Sequence, residues 1–592
     1  VEYRIDVAER IDGRFSAQSA SWRRRAARYL DALEAGRNPY DQERGAITNR
    51  GYRSPLSEIL QGYAVYLPPN YDPKKPWPLY VALHGGSSNG NLFLGVALGN
   101  NMPWERYRDH LWDDYKPRWS PDWIVVTPTG FGQIMWRWMA ERDVLDVIED
   151  VRRHYNVDAE RIVLGGLSNG GVGAYAIGSR HAWRFSVVQA MAGAPSWLQY
   201  AGGKPLPEEE QTMVSFSAMH LAENTFNTHF MYYHGRVDPG PMRPAFVEAF
   251  EQRLKALSLP SRLTWYATGH DILYLVHRHG RVYDDLAKIR RNPSPAEVRI
   301  VCGDYRANRQ HWLTLTRMTP RPKMAEARAE ASEGAIHVRT QGVMALSLDL
   351  RLAPIGKSAR LQIEVDGNKV YVDARKPLGH VVHLHRDDRH GWKLGFPREG
   401  EHELVKRPGL SGPLTDAYYD AMVHVYGTKN AERREELRKA AEKGSRGWPL
   451  WLWDFKQRVV ADSEVDEATM RHANLVLYGT PEDNRILERI AKHLPIKLER
   501  DAITVGKARF TGADVGTRFI YPNPLSPHRY VVVQSGLSPK AVMAGHNLPD
   551  FLPDYVVYNA KTTRSRPRLA SGKANPPLTL GYFDERWRLP AP

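Results

Sequence analysis

The stretch "RIVLGGLSNGGVGAYAIG", residues 161–178, runs from an apolar segment through a serine set between glycines into a run of small residues. RIVLGG reads as a strand and VGAYAIGSR as a helix. Between them Gly166-Leu167-Ser168-Asn169-Gly170 fits G-x-S-x-G, the pattern that lifts a nucleophilic serine on a sharp strand-to-helix turn. One such match arises by accident too easily in a chain of 592 residues to decide anything alone. Its neighbours decide it.

Working outward, strand-like and helix-like runs alternate from "GYAVYLPPNY" (62–71) onward. "PLYVALHGG" (78–86), "WIVVTPTG" (123–130), "FSVVQAMAG" (185–193), "THFMYYHG" (228–235) and "RLTWYATGH" (262–270) read as strands. "RDVLDVIEDVRRHY" (142–155) reads as an amphipathic helix with Val144, Val147, Ile148 and Val151 on one stripe, and "PAFVEAFEQRLKAL" (244–257) as another helix. The alternation implies a mostly parallel sheet covered on both faces.

Acyl transfer by a serine needs a base for its proton, a carboxylate to orient that base, and N–H donors for the developing oxyanion. On a parallel sheet these groups gather at the carboxyl ends of strands. Four strand ends carry suitable residues: His84-Gly85-Gly86-Ser87 after 78–83, Ser168 after 161–165, Asp238 in "HGRVDPG", and His270 in "TGHDI". The order Ser, Asp, His differs from that of two unrelated serine-protease folds. Asp143, Asp146 and Asp271 compete with Asp238 for the carboxylate. The first two lie on a helix, and the third adjoins the histidine.

Residues about 58–293 resemble the α/β-hydrolases of the bacterial esterase group, polyhydroxybutyrate-depolymerase-like and feruloyl-esterase-like enzymes also called prolyl-oligopeptidase-like. The resemblance lies in "YAVYLPPNYDP", "LHGGSSNG", "ERDVLDVIEDVRRHYNVDAERIVLGGLSNGG", "HGRVDPGPM" and "GH". It implies Ser168 as nucleophile, His270 as general base and acid, Asp238 as its orienting carboxylate, and the amides of Asn169 and Gly86 as oxyanion hole. Gly85 or Ser87 can replace Gly86 in that role. No metal or organic cofactor is implied.

Around this core, 1–57 reads as a helical leader region with Trp22, Ala26, Tyr29, Leu30 and Leu33 near one face. After the linker "RRNPSPAEV", residues 294–408 alternate with period two and place an Asp366-Gly367 turn between two runs, which predicts a β-sandwich. Residues 409–592 return to strands and helices, with "AMVHVYGT" (421–428) echoed by "ANLVLYGT" (473–480), and predict a small α/β domain. Its tail packs back through Tyr582, Phe583 and Trp587. The expected architecture is an α/β-hydrolase domain, a β-sandwich-like domain and a small C-terminal α/β domain.

The bulk composition, 42% apolar and 25% charged, is that of a globular protein, and no apolar run reaches the length of a membrane helix. The single cysteine, Cys302, excludes an internal disulfide. A net charge of +15 is spread over short groups such as Arg23-Arg24-Arg25 without a nucleic-acid-binding signature, so no nucleic-acid partner is expected. His380, His383, His385 and His390 lie on an expected surface hairpin without an evident fourth ligand, so no metal site is expected. The insertion "APSWLQYAGGKPLPEEEQTMVSFSAMHLAENTFN" (194–227) and "GQIMWRWMAERD" offer Trp197, Tyr200, Trp136 and Trp138 as an aromatic wall for the substrate. With about 57 residues ahead of the first strand of this sequence, a propeller-gated peptidase, which needs about four to eight blades, is not the expectation.

The expected activity is cleavage of a carboxylic ester, polymeric or aromatic, through an acyl-enzyme. A serine peptidase is the alternative of the same chemistry. A polysaccharide or cell-surface binding protein with a vestigial triad is the alternative of another class. Secretion or a periplasmic location is expected, with the cytoplasm as alternative, and the oligomeric state is left open.

Overall fold

A computed structural model describes residues 1–590 except 42, 57–59, 101–114, 133, 202–203, 320–323, 357–359, 374–379, 388–390, 398–403, 447–456, 565–568 and 572–574. The chain forms two compact units. One comprises Val1–Pro195 and Asn227–Asn292, the other Ser196–Phe226, Pro293–Gly447 and Lys456–Pro592.

The first unit is built on an eight-stranded sheet of order β1-β2-β4-β3-β5-β6-β7-β8. Its strands are β1 (Gly45–Arg53), β2 (Leu60–Leu67), β3 (Trp77–Leu83), β4 (Ile124–Pro128), β5 (Val157–Leu167), β6 (Val187–Met191), β7 (His229–Gly235) and β8 (Ser261–Tyr266). β1 and β2 run antiparallel to their neighbours, while β4, β3, β5, β6, β7 and β8 pair in parallel. β3, β4 and β6 are buried along their whole length, which is why their sequences are continuous apolar runs and not alternating ones. Among the helices are α1 (Glu2–Ile11), α2 (Ser16–Glu34), α3 (Met139–His154), α4 (Asn169–Arg180) and α5 (Pro244–Ala256). α3 buries Val144, Val147, Ile148 and Val151, the expected stripe. Its last turn carries Arg152 and Arg153, charges that suit the negative end of a helix dipole.

The leader region differs from the expectation of helix alone. α1 and α2 are followed by β1, which pairs with β2 as the sheet's outer strand. Arg50 on β1 is buried because Glu43 pairs with it at 2.5 Å and Tyr155 accepts a hydrogen bond from it at 2.6 Å. The segment Ser196–Phe226, expected as a hydrolase insertion, groups with the second unit.

In the second unit two five-stranded sheets between Glu297 and Leu394 enclose Ile300, Trp312, Leu346, Ile363 and Leu384. The Asp366-Gly367 turn joins antiparallel strands in register Val365↔Asn368. Further along lies a seven-stranded sheet of order β10-β9-β11-β13-β12-β14-β15. The strands are β9 (Met422–Tyr426), β10 (Arg458–Ala461), β11 (Asn474–Tyr478), β12 (Gly516–Asn523), β13 (Ser526–Gly536), β14 (Tyr555–Tyr558) and β15 (Thr579–Gly581). The two echoed YGT stretches end adjacent parallel strands, Tyr426 opposite Tyr478. Phe583 and Trp587 of the tail are buried in this core beside Tyr521, and Tyr582 is half-buried. Among the described residues no helix is long and apolar enough to cross a membrane.

Candidate active site

The turn from β5 into α4 leaves Ser168 at φ 61°, ψ −120°, a left-handed backbone that a non-glycine residue adopts only when its surroundings enforce it. The flanking glycines are what allow it. A Cβ at Gly166 would lie 2.2 Å from the Gly170 oxygen, and one at Gly170 would lie 1.9 Å from the Leu83 oxygen. Strand, helix and the end of β3 therefore approach to backbone contact. Ser168 N donates to Met191 O at 3.0 Å, tying the turn to β6. Asn169 opens α4, where the first amides lack intrahelical acceptors.

The glycine turn after β3 lies against the serine. A Cβ at Gly85 would be 3.4 Å from Ser168 Cβ and 3.9 Å from its Oγ. Ser87 in the same turn has φ 56°.

Asp238 follows β7 and His270 follows β8. His270 Nδ1 donates to the Asp238 carboxylate, 2.9 Å from Oδ2 and 3.1 Å from Oδ1. The carboxylate is fully buried while the imidazole is 40% exposed, so the pair has a sealed end and an open end. His234, at the end of β7, lies 3.5 Å from Asp238 Oδ2 and donates from Nε2 to Met242 O at 2.8 Å. Burial lowers its pKa below the ordinary histidine value. A Cβ at Gly235 would lie 2.0 Å from the Gly269 oxygen, so the loops bearing Asp238 and His270 touch through a glycine. Ser168 and His270 are not hydrogen-bonded to each other here; such contacts commonly tighten only with substrate in place.

Two of the three competing carboxylates have other partners. Asp143 is buried, accepts from Gly130 N at 2.8 Å and from the Tyr52 hydroxyl, and burial pushes its pKa up to about 7. Asp146 pairs with Arg142 at 2.9 Å. Asp271 is exposed.

The aromatic wall needs correction. Trp136 is 3% exposed and donates from Nε1 to His84 O at 3.1 Å, so its ring lies under the glycine turn instead of lining open space. Trp138 is also buried. Trp197 is 2% exposed and packs on Tyr200 and Phe551 within the second unit, as a core side chain. Tyr200 is half-buried beside it. Proximity in sequence to the loops bearing Ser168 and Asp238 says nothing about which way a ring points. Among the described residues no cluster of three metal-ligating side chains occurs. His383 bonds Ser347 at 2.8 Å, and His390 lies outside the described residues.

Strand order, the turn at Ser168 and the loops at the carboxyl ends of β5, β7 and β8 give the first unit an α/β-hydrolase fold. Residues 135–278 match the prolyl oligopeptidase family. A bifunctional acetylxylan esterase/xylanase of Neocallimastix patriciarum is 27% identical over 147 residues, which is 24% of this chain and 19% of that protein. Among solved structures, a ferulic acid esterase is 18% identical, covering 41% of this chain and 96% of its own at a TM-score of 0.30. An S-formylglutathione hydrolase from Agrobacterium tumefaciens is 16% identical, covering 42% and 95% at 0.32.

Proposed function

We propose that the protein is a serine hydrolase that cleaves carboxylic esters through Ser168, His270 and Asp238. Ser168 Oγ attacks the ester carbonyl carbon as its proton passes to His270 Nε2. The carbonyl oxygen takes the negative charge beside the amides of Asn169 and of Gly86 or Gly85. Collapse expels the alcohol, which leaves with the proton from His270. Water then gives a proton to His270 as it attacks the acyl carbon, and collapse expels Ser168 Oγ, which takes that proton back from His270 as the acid leaves. Asp238 holds the Nδ1–H tautomer, leaving Nε2 free to accept. The required groups are all supplied by this chain.

The observation that carries this reading is the buried Asp238 carboxylate against His270 Nδ1, on the sheet edge where the Ser168 turn ends the parallel strand β5. The acetylxylan esterase relative makes acylated polysaccharide the first ester to try. The prolyl oligopeptidase match favours a second reading, peptide-bond cleavage. Turnover of acetyl, feruloyl and polyester substrates compared with short peptide amides, each with wild type and Ser168→Ala, separates the two. Ester cleavage abolished by Ser168→Ala is the expected result; cleavage of amides alone would establish the peptidase.

A further inference from the structure

The loop from β4 to α3 is wound against the normal backbone preference. Gly130, Phe131, Gly132, Met135, Trp136 and Trp138 all have φ between 50° and 89°. Four of these are bulky residues, for which a left-handed backbone is a marked outlier. Such a concentration persists only where the surroundings over-determine it, and it gathers at functional sites. Trp136 is the point at which this loop is held. A Cβ at Gly173 of α4 would lie 2.5 Å from Trp136 Cβ, and one at Gly130 would lie 2.7 Å from the far edge of the indole. Both glycines leave room for the ring.

Wedged there, the indole meets the glycine turn that lies beside Ser168. Its ring is 4.7 Å from that of His84 at 62°, and Nε1–H donates to the His84 carbonyl at 3.1 Å. A trans peptide is planar, with C=O and N–H opposed. Fixing the His84 oxygen against Trp136 therefore fixes the direction of the Gly85 N–H, on a residue whose added Cβ would lie 3.4 Å from Ser168 Cβ. The Gly85 oxygen in turn lies 2.9 Å from His84 Nδ1, while His84 Nε2 lies 3.1 Å from Thr129 O.

We propose that Trp136 is a positioning residue for the oxyanion turn, its indole N–H holding the His84 carbonyl so that the glycine amides beside Ser168 are aimed before substrate arrives. The proposal rests on the ester-hydrolase reading above. It explains why a buried tryptophan with a strained backbone sits between the nucleophile helix and the glycine turn.

The test is Trp136→Phe, which keeps an aromatic ring over His84 and removes the donor. With p-nitrophenyl acetate as probe, kcat should fall about 10- to 100-fold with KM within about threefold of wild type. The preference for an ester over its thionoester should shrink too, because a misaimed oxyanion hole no longer favours oxygen over sulfur. A merely structural role would leave that ratio unmoved. If Trp136→Phe does not fold, replacing Trp136 with β-(3-benzothienyl)alanine keeps the bicyclic shape without the N–H, and the same results are expected. Unchanged kcat in the folded variant overturns the proposal, as does a raised KM at unchanged kcat, which would make Trp136 a substrate wall. Wild-type behaviour of the Trp136 variant beside an inactive Ser168→Ala defeats this inference alone. Full activity in Ser168→Ala defeats the hydrolase reading and this inference with it.

Discussion

His270 Nδ1 stands 2.9 Å from Asp238 Oδ2, and the carboxylate has no exposed surface while the imidazole is 40% exposed. A buried carboxylate facing one nitrogen selects the tautomer of the ring and leaves the other nitrogen free to take a proton.

Asp238→Asn should therefore lower kcat by about 10⁴-fold with little change in KM, because an amide can present its N–H and stabilise the wrong tautomer. Steady-state ester kinetics on the folded variant measure this. A loss below about tenfold would remove Asp238 from the mechanism.

The turn at Ser168 should tolerate no added methyl. A Cβ at Gly170 would lie 1.9 Å from Leu83 O and 2.9 Å from His84 O, both backbone atoms. Gly170→Ala should lower stability by about 1–3 kcal/mol and abolish activity as the turn is pushed off its geometry. Gly13→Ala, where nothing lies within 4 Å, should stay within about 0.5 kcal/mol of wild type. Denaturant melts of the two variants compare them directly.

Burial pushes the Asp143 carboxyl up to about 7, whereas in the unfolded chain it ionises near ~4. A carboxyl raised on folding contributes stability that is complete below about pH 4 and is lost as pH rises through about 7, up to about 4 kcal/mol. Asp143→Asn, whose oxygen can accept from Gly130 N while its NH2 donates to the Tyr52 hydroxyl oxygen, should flatten this part of the stability profile. Unfolding free energies of wild type and variant across this range should then differ in slope. Parallel curves would show that Asp143 ionises normally in the folded protein.

How much of this was written in the sequence depends on whether the signal was local. The strands and turns that carry Ser168, Asp238 and His270 were legible because each combines an apolar run with glycine at its end, and the order of the loops follows the order of the strands. The Asp366-Gly367 hairpin was legible for the same reason. β1 was not, since "GAITNRGYR" is polar and is buried only because Glu43 and Tyr155 satisfy Arg50 from elsewhere in the chain. The grouping of Ser196–Phe226 with the second unit depends on partners far along the chain, among them Phe551 beside Trp197 and Val301 beside Asn224. The burial of Trp136 and Trp197 was not legible either, since only packing shows that both rings are enclosed.

The most direct test of the account is to label the folded protein with a fluorophosphonate and map the adduct by peptide mass analysis. The account predicts one adduct per chain, on Ser168, with ester hydrolysis lost in step with labelling. An adduct on another residue, or full labelling that leaves ester hydrolysis untouched, would contradict it.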